Sequence, residues 1–258
     1  MPADLAVVIP ARNEAERIGA TVKAALSLAG ADLVVVVDDG SADDTAAIAA
    51  GAGARVFRHA RNRGKAAAIE TGAEVVRLLE SEPAAAASPP HHLLFLDADL
   101  GETAAEAGPL AEPVRAGTAD MTIAVFSNRV RKGGFGIVTG ASGAGIERAI
   151  GWRPAQPLNG QRCLTRAAFE AALPLAAGWG IETGMTIDLI RRGLRVTEVE
   201  VPLAHRATGN DWRAQVHRAR QLGGVARALA EREPSVVRAR RTRAQRARER
   251  QAARSGRG

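Results

Sequence analysis

The stretch Leu93-Leu94-Phe95-Leu96-Asp97-Ala98-Asp99 decides how this chain is read. Its apolar run predicts a buried strand, and two carboxylates two residues apart follow at the strand's end. Hard cations such as Mg2+ and Mn2+ take oxygen ligands, and bind through one or two carboxylates together with substrate phosphates. A D-x-D alone also has a plain structural explanation, because acidic residues often end strands. The blocks upstream give it a context.

Val7-Val8-Ile9 runs into Pro10-Ala11-Arg12-Asn13-Glu14, and Leu33-Val34-Val35-Val36-Val37 runs into Asp38-Asp39-Gly40-Ser41. Asp43-Asp44-Thr45 opens a helix, and Arg61-Asn62-Arg63-Gly64-Lys65 precedes a helical stretch from Ala66 to Leu79. Strand-like runs at 5–9, 33–37, 54–57 and 93–97 alternate with helical patterns at 14–28, 43–50 and 65–80. Continuously apolar strands alternating with helices predict an α/β fold of parallel βαβ units, buried on both faces. Ligands of such sheets bind at the carboxyl ends of the strands, where all of these polar motifs fall. Beyond Asp99 the pattern predicts a helix at 109–116, a strand at 120–126, and a small-residue helix to about 150 after the glycine-rich 131–136. A helix from Arg166, another reaching Arg192, a strand at 194–201 and a last helix at about 211–232 follow. Residues 81–91 read as a Pro/Ala surface loop, and no internal repeat is found.

The 258 residues, 46% of them hydrophobic, suffice for one large α/β domain. No uninterrupted apolar run approaches the ~18 residues of a membrane span. Met1-Pro2-Ala3-Asp4 leads straight into a strand with no basic segment before an apolar one, so no signal peptide is expected. Cys163 is the single cysteine, which excludes an intrachain disulfide or a cysteine zinc cluster and favours a cytoplasmic protein. The net charge of +7 is unevenly placed: residues 238–258 carry nine arginines and one glutamate, which leaves the remainder near neutral at −1. That Arg-rich tail, with no apolar face, is expected to be disordered and solubilising, with attraction to anionic membrane or nucleic acid as its functional alternative. It has no aromatic residue to stack bases, which argues against a single-strand nucleic-acid module.

Four motifs in this order resemble the nucleotide-binding half of the GT-A glycosyltransferases, especially glycosyltransferase family 2, over most of residues 5 to 230. The resemblance implies a Rossmann-like, mostly parallel GT-A sheet flanked by helices. It divides residues 1–232 into a nucleotide-binding half (1–100) and an acceptor half (101–232), with the tail at 233–258. It also implies a nucleoside diphosphate sugar donor, Mg2+ or Mn2+, and a donor pocket of Pro10, Ala11, Arg12, Glu14, Asp39, Lys65, Asp97 and Ala98. Glu14 and Asp39 would hold the nucleoside. As bare residues they also suit a helix's first turn and an Asp-Gly-Ser turn. Gly64-Lys65 at a helix start brings backbone N–H groups, a helix dipole and a flexible cation to a phosphate, although a solvated surface lysine has the same look. Only three lysines occur against 32 arginines, so a lysine at this spot carries information.

Pro157-Leu158-Asn159-Gly160, Gly178-Trp179-Gly180-Ile181-Glu182 and Ala204-His205-Arg206 are similar to segments of the glucosyl-3-phosphoglycerate synthases, retaining GT-A enzymes related to family 2. That likeness implies that Asp99 and His205 hold the cation, with Asp97 nearer the ribose; a lone histidine is otherwise usually structural. It places Thr139, Asn159 and Gly160 on the acceptor side. The synthases' acceptor segment reads Gly-Arg-Val-Thr, against Gly136-Ile137-Val138-Thr139 here. Ile137 cannot make the bidentate pair that arginine offers a phosphate or carboxylate, which argues against a 3-phosphoglycerate acceptor. Glu182, among Gly178, Gly180 and Gly184, is the catalytic candidate. It would be a general base in an inverting transfer, a positioning group in a retaining one, or simply a first-turn acid.

The favoured activity is therefore metal-dependent transfer of a sugar, UDP-linked first, to a hydroxyl or phosphate acceptor. A lipid phosphate is one such acceptor, and would suit a protein peripheral to the membrane. A sugar-1-phosphate nucleotidyltransferase is the competing enzyme, although Pro10-Ala11-Arg12-Asn13-Glu14 is not its Gly-rich loop. A dehydrogenase is disfavoured by the lack of G-x-G-x-x-G after the first strand. A non-catalytic domain docked by its Arg tail is the reading from another class. The resemblance also implies a homodimer paired through C-terminal helices.

Overall fold

A computed structural model describes residues 4–82, 89–127, 136–203 and 212–233. Seven strands form one sheet in the order β3-β2-β1-β4-β6-β5-β7. They are β1 (Leu5–Ala11), β2 (Ala31–Asp38), β3 (Arg55–Arg58), β4 (His92–Phe95), β5 (Met121–Phe126), β6 (Arg162–Leu164) and β7 (Val196–Val201). All neighbours pair in parallel except β6, which runs antiparallel to β4 and β5. The mostly parallel α/β sheet of the sequence reading is thus present.

Alternation along the strands sorts side chains onto two faces. Leu5, Val7, Ile9, Val34 and Val36 pack with Ile18, Val22 and Ala25 of α1 (Ile18–Leu26) and with Ala104, Ala107 and Leu110 of a 3-10 run, Gly101–Leu110. Ala6, Val8, Val35 and Val37 pack with Ala68, Ile69, Ala73 and Val76 of α3 (Lys65–Glu80). The same layer takes in Phe169 of α6 (Arg166–Ala172) and Met185 and Leu189 of α7 (Ile181–Arg191). The short helices α2 (Thr45–Gly51) and α4 (Glu112–Arg115) complete the first layer. Outside the second lie α5 (Gly136–Ile150) and α8 (Trp212–Glu231), which pack on α7 and on each other.

Three features depart from the sequence reading. The first helix begins at Ile18 rather than at residue 14, since residues 12–17 form a loop stitched to the segment that follows β2. The helix expected at 109–116 is the four-residue α4 (Glu112–Arg115), and the 3-10 run Gly101–Leu110 precedes it where no helix was expected. The three-residue β6 lies in a segment expected to have no strand, and it inserts between β4 and β5 as the sheet's antiparallel member.

Candidate active site

The carboxyl ends of β1, β2 and β4 lie side by side, so the loops that leave them meet. Asn13, at φ 55°, adopts the left-handed region that asparagine tolerates. Its N–H donates to Ser41 Oγ at 2.9 Å, and its Oδ1 accepts from Ala42 N–H at 2.9 Å. Glu14 N–H donates to Thr45 Oγ1 at 2.9 Å. Pro10 is still within β1, paired with Val37, and Arg12 is exposed beyond it. The Pro10-to-Glu14 segment is therefore tied by hydrogen bonds to the loop after β2.

Asp39 is buried beneath the next loop. Its Oδ1 accepts from His59 Nδ1 and from Arg63 N–H, both at 2.7 Å, and its Oδ2 accepts from Gly64 N–H at 2.7 Å. Burial would raise its pKa, but these hydrogen bonds outweigh burial and hold the carboxyl below its usual value. His59 is fixed in turn by Thr71 Oγ1 at 3.0 Å. Gly40, at φ 71°, presses against the same loop: a Cβ there would lie 2.8 Å from the carbonyl carbon of Arg61. The Asp-Asp-Gly-Ser motif thus supports the Arg61-to-Lys65 loop as well as lining the cleft.

That loop delivers Lys65, the first residue of α3, across the site. Its Nζ donates to Asp97 Oδ1 at 2.8 Å and to Glu182 Oε1 at 3.2 Å. Burial opposes the lysine's charge, but the two carboxylates more than offset it and raise the pKa above the ordinary value. Glu182, in the first turn of α7, is 7% exposed. A Cβ on Gly160 would come within 2.4 Å of Lys65 Nζ and 3.2 Å of Asp97 Oδ1, so the Asn159-Gly160 segment lies directly against this ion pair. The structure brings together Lys65, Asp97, Glu182, Asn159 and Gly160, which are up to 117 positions apart in sequence.

The D-x-D turn is held from α1. Thr21 Oγ1 donates to Ala98 O and accepts from Gly101 N–H, both at 2.8 Å, and Arg17 donates to Asp99 O at 3.1 Å. Asp97 and Asp99 are partly buried, with Ala98 buried between them. Carboxylate oxygens at a strand end fit a hard divalent cation. Among the described residues no three His, Cys, Asp or Glu side chains converge as a metal cluster, so a cation here would draw further oxygens from its substrate. His205 lies outside the described residues, as do residues 128–135 and the tail from 234 onward. Thr139 is a partly buried residue of α5.

Sequence reasoning passed over Arg162. It is fully buried, and its guanidinium donates to Asn159 O at 2.9 Å, Pro157 O at 3.2 Å and Thr186 Oγ1 at 2.9 Å. Thr186 Oγ1 donates to Glu182 O at 2.8 Å, so one side chain braces both the 157–160 segment and the start of α7. Burial pushes its pKa down to about 10, against the opposing fields of Glu182 and Glu198. A charged residue inside the short run Arg162-Cys163-Leu164 was the available signal. Thr21 and His59 carried none, because their roles depend on tertiary partners. Cys163 is buried and its thiol is pushed up to about 12 by burial, which excludes it as a nucleophile at neutral pH.

Polar motifs gathered at the carboxyl ends of a mostly parallel sheet, with two carboxylates joined by a lysine, mark the ligand-binding site of an α/β fold. The sequence profile of glycosyl transferase family 2 matches residues 6–141, just over half of the chain, and the chain belongs to that family. It is 29% identical over 214 residues to glycosyltransferase AglJ of Haloferax volcanii, covering 81% of this chain and 66% of that protein. It is also 29% identical over 205 residues to glucosyl-3-phosphoglycerate synthase of Mycolicibacterium paratuberculosis, covering 73% of this chain and 60% of that one. The chain therefore spans no more than about two thirds of these relatives' lengths. The crystal structure of the Mycobacterium tuberculosis glucosyl-3-phosphoglycerate synthase, in complex with Mn2+, UDP-glucose and phosphoglyceric acid, superposes with a TM-score of 0.66. Sequence identity is 27%, and the match covers 89% of this chain and 79% of that one. The fold is that of the GT-A enzymes.

Proposed function

We propose that the protein is a cation-dependent glycosyltransferase that moves a hexosyl group from a nucleoside diphosphate sugar to a hydroxyl or phosphate acceptor. The observation that carries this reading is the Lys65 ammonium clasped between Asp97 and Glu182, against Gly160 at the strand ends. UDP is the favoured nucleotide, since the related synthase is seen with UDP-glucose and Mn2+. Pro10, Ala11, Arg12, Glu14 and Asp39 form the nucleoside side, with Asp97 and Ala98 toward the ribose. Asp99 and His205 would hold the Mg2+ or Mn2+. When bound, the cation neutralises charge developing on the diphosphate leaving group.

Lys65 keeps Asp97 and Glu182 from repelling each other, and places a permanent positive charge where the diphosphate lies. Glu182 acts on the acceptor side, as the group that takes or orients its hydroxyl. Asn159, Gly160 and Thr139 border the acceptor. Ile137 replaces the arginine that would pair with a phosphate, so 3-phosphoglycerate is expected to be a poor acceptor.

Calorimetric titration with UDP and GDP, in Mn2+ and again with chelator, tests the reading. Binding of UDP that chelation removes is expected, and Asp99→Ala should lose both that binding and turnover. Full turnover in Asp99→Ala would sink the assignment. Release of pyrophosphate from a nucleoside triphosphate would shift it to the nucleotidyltransferase.

A further inference from the structure

Gln161 immediately precedes β6, between Gly160, which touches the Lys65–Asp97 pair, and the buried Arg162. It is completely buried. Its backbone is satisfied, the N–H donating to Asn159 Oδ1 at 3.0 Å and the carbonyl accepting from Ala124 N–H at 3.0 Å. Its carboxamide is not: neither Oε1 nor Nε2 has a hydrogen-bond partner among the described residues. Two of the other buried orphans are single atoms of the Asp38 carboxylate and the Arg166 guanidinium, whose remaining atoms are engaged. A whole amide buried without partners loses its hydration and gains nothing in return, which calls for an explanation.

Strand register says where the amide stands. Arg162 pairs with Phe95 and Ile123, so Gln161 continues the antiparallel ladder opposite Leu96 and Ala124. Arg162 reaches Thr186 and lies next to Leu164 on the face of α3 and α7. Cys163 packs on the other face with Leu94, Leu96, Ala98 and Ala124. Gln161 shares the parity of Cys163, and so enters the first layer, that of α1 and the 3-10 run, where Leu96 and Ala98 lead into the Asp97-to-Asp99 turn. Thr21 and Arg17 pin the same turn from α1. Register sets Gln161 beside Leu96, the residue that leads into that turn.

We propose that Gln161 is a positioning residue of the donor site, and that its carboxamide gains its hydrogen bonds only when the nucleotide and its cation are bound over Asp97 and Asp99. The inference rests on the donor reading above. Oε1 is an acceptor matched to a water carried on a cation, and Nε2 is a donor matched to an anionic oxygen. The free protein then carries an unmet desolvation cost that the bound state relieves. Only a group with such a difference between states can couple binding to the ordering of the turn.

Gln161→Met keeps the length of the side chain and removes both polar atoms; Gln161→Leu does the same with a branched chain. Thermal unfolding of the free protein and calorimetric UDP binding in Mn2+ are measured for both and for wild type. The expected result is a free protein as stable as wild type or a few degrees more so, with UDP–Mn2+ affinity reduced by about tenfold. Affinity equal to wild type would mean that a resident water serves the amide in both states, and would overturn the proposal. Loss of stability or of folding in both variants would show that the amide already has a partner in the free protein, and would overturn it too. If wild type itself binds neither UDP nor GDP with Mn2+, the donor reading fails first and the inference falls with it.

Discussion

Arg162 is a buried guanidinium whose hydrogen bonds go to neutral oxygens, and its work is to hold two parts of the site in register. Replacing it by leucine would leave the carbonyls of Pro157 and Asn159 and the hydroxyl of Thr186 without their donor. At about 1 kcal/mol for each lost bond, Arg162→Leu should cost roughly 3 kcal/mol. That corresponds to a drop in Tm of roughly 6–12 °C for a chain of this size, readable by calorimetry. Glu182→Gln is a different kind of change, because an amide can still accept from Lys65. Nucleotide affinity should stay within about threefold, while kcat falls by the roughly 10²–10⁴-fold typical of a lost acid–base group. A Glu182→Gln enzyme with wild-type kcat would remove Glu182 from the chemistry. At this scale the sequence was readable wherever a polar residue ended an apolar run, as at Asp97, or opened a helix, as at Lys65 and Glu182. Arg162 was not, because its purpose lies in carbonyls that only the folded chain brings to it.

Elements meet at the opposite end of the sheet through His91, just ahead of β4. Its Nδ1 lies 2.9 Å from Glu80 Oε1 at the end of α3, and its Nε2 lies 3.0 Å from Asp32 Oδ1 in β2. Arg166 of α6 also bonds Glu80, at 2.7 Å. Both ring nitrogens face acceptors, and a neutral imidazole can donate from one nitrogen only. Burial opposes the charged form, but hydrogen bonds to Glu80 and Asp32 outweigh it, so the pKa is raised above 6.5. The contribution of a raised folded-state pKa is complete below the unfolded value of 6.5 and is lost as pH rises through the folded one. The Tm difference between wild type and His91→Gln should therefore be largest near pH 5–6 and shrink as pH increases. Neighbouring His92, whose pKa is lowered by burial first and in part by the charges of Arg115 and His91, acts in the opposite sense. A difference independent of pH would show that His91 is not charged in the fold. The alternation of apolar runs and helical patterns revealed most elements, because the runs of β1, β2 and β4 exceed anything a loop would bury. The sequence hid β6: it is three residues long and carries an arginine, so its strand character comes from β4 and β5 on either side.

Across the whole molecule the charge is divided by position rather than spread. Residues 238–258 hold nine arginines and one glutamate of a chain whose total is +7, so everything before them sums to −1. The site residues Lys65, Asp97, Asp99 and Glu182 are anchored by β4, α3 and α7, all of them far ahead of that stretch in the sequence. No helix among the described residues is long and apolar enough to cross a membrane. A charge of +8 on 21 residues binds anionic surfaces by Coulomb attraction that is screened beyond ~8 Å at physiological salt. Such binding should be strong at low ionic strength and fall steeply as salt is added. Deleting residues 238–258 is therefore expected to leave Mn2+-dependent UDP affinity unchanged while abolishing salt-sensitive sedimentation with phosphatidylserine vesicles. Nucleotide affinity that falls with the deletion would place the tail at the donor site. Vesicle binding that survives it would move membrane attraction onto the rest of the chain, where residues 55–65 carry five cations and no acid.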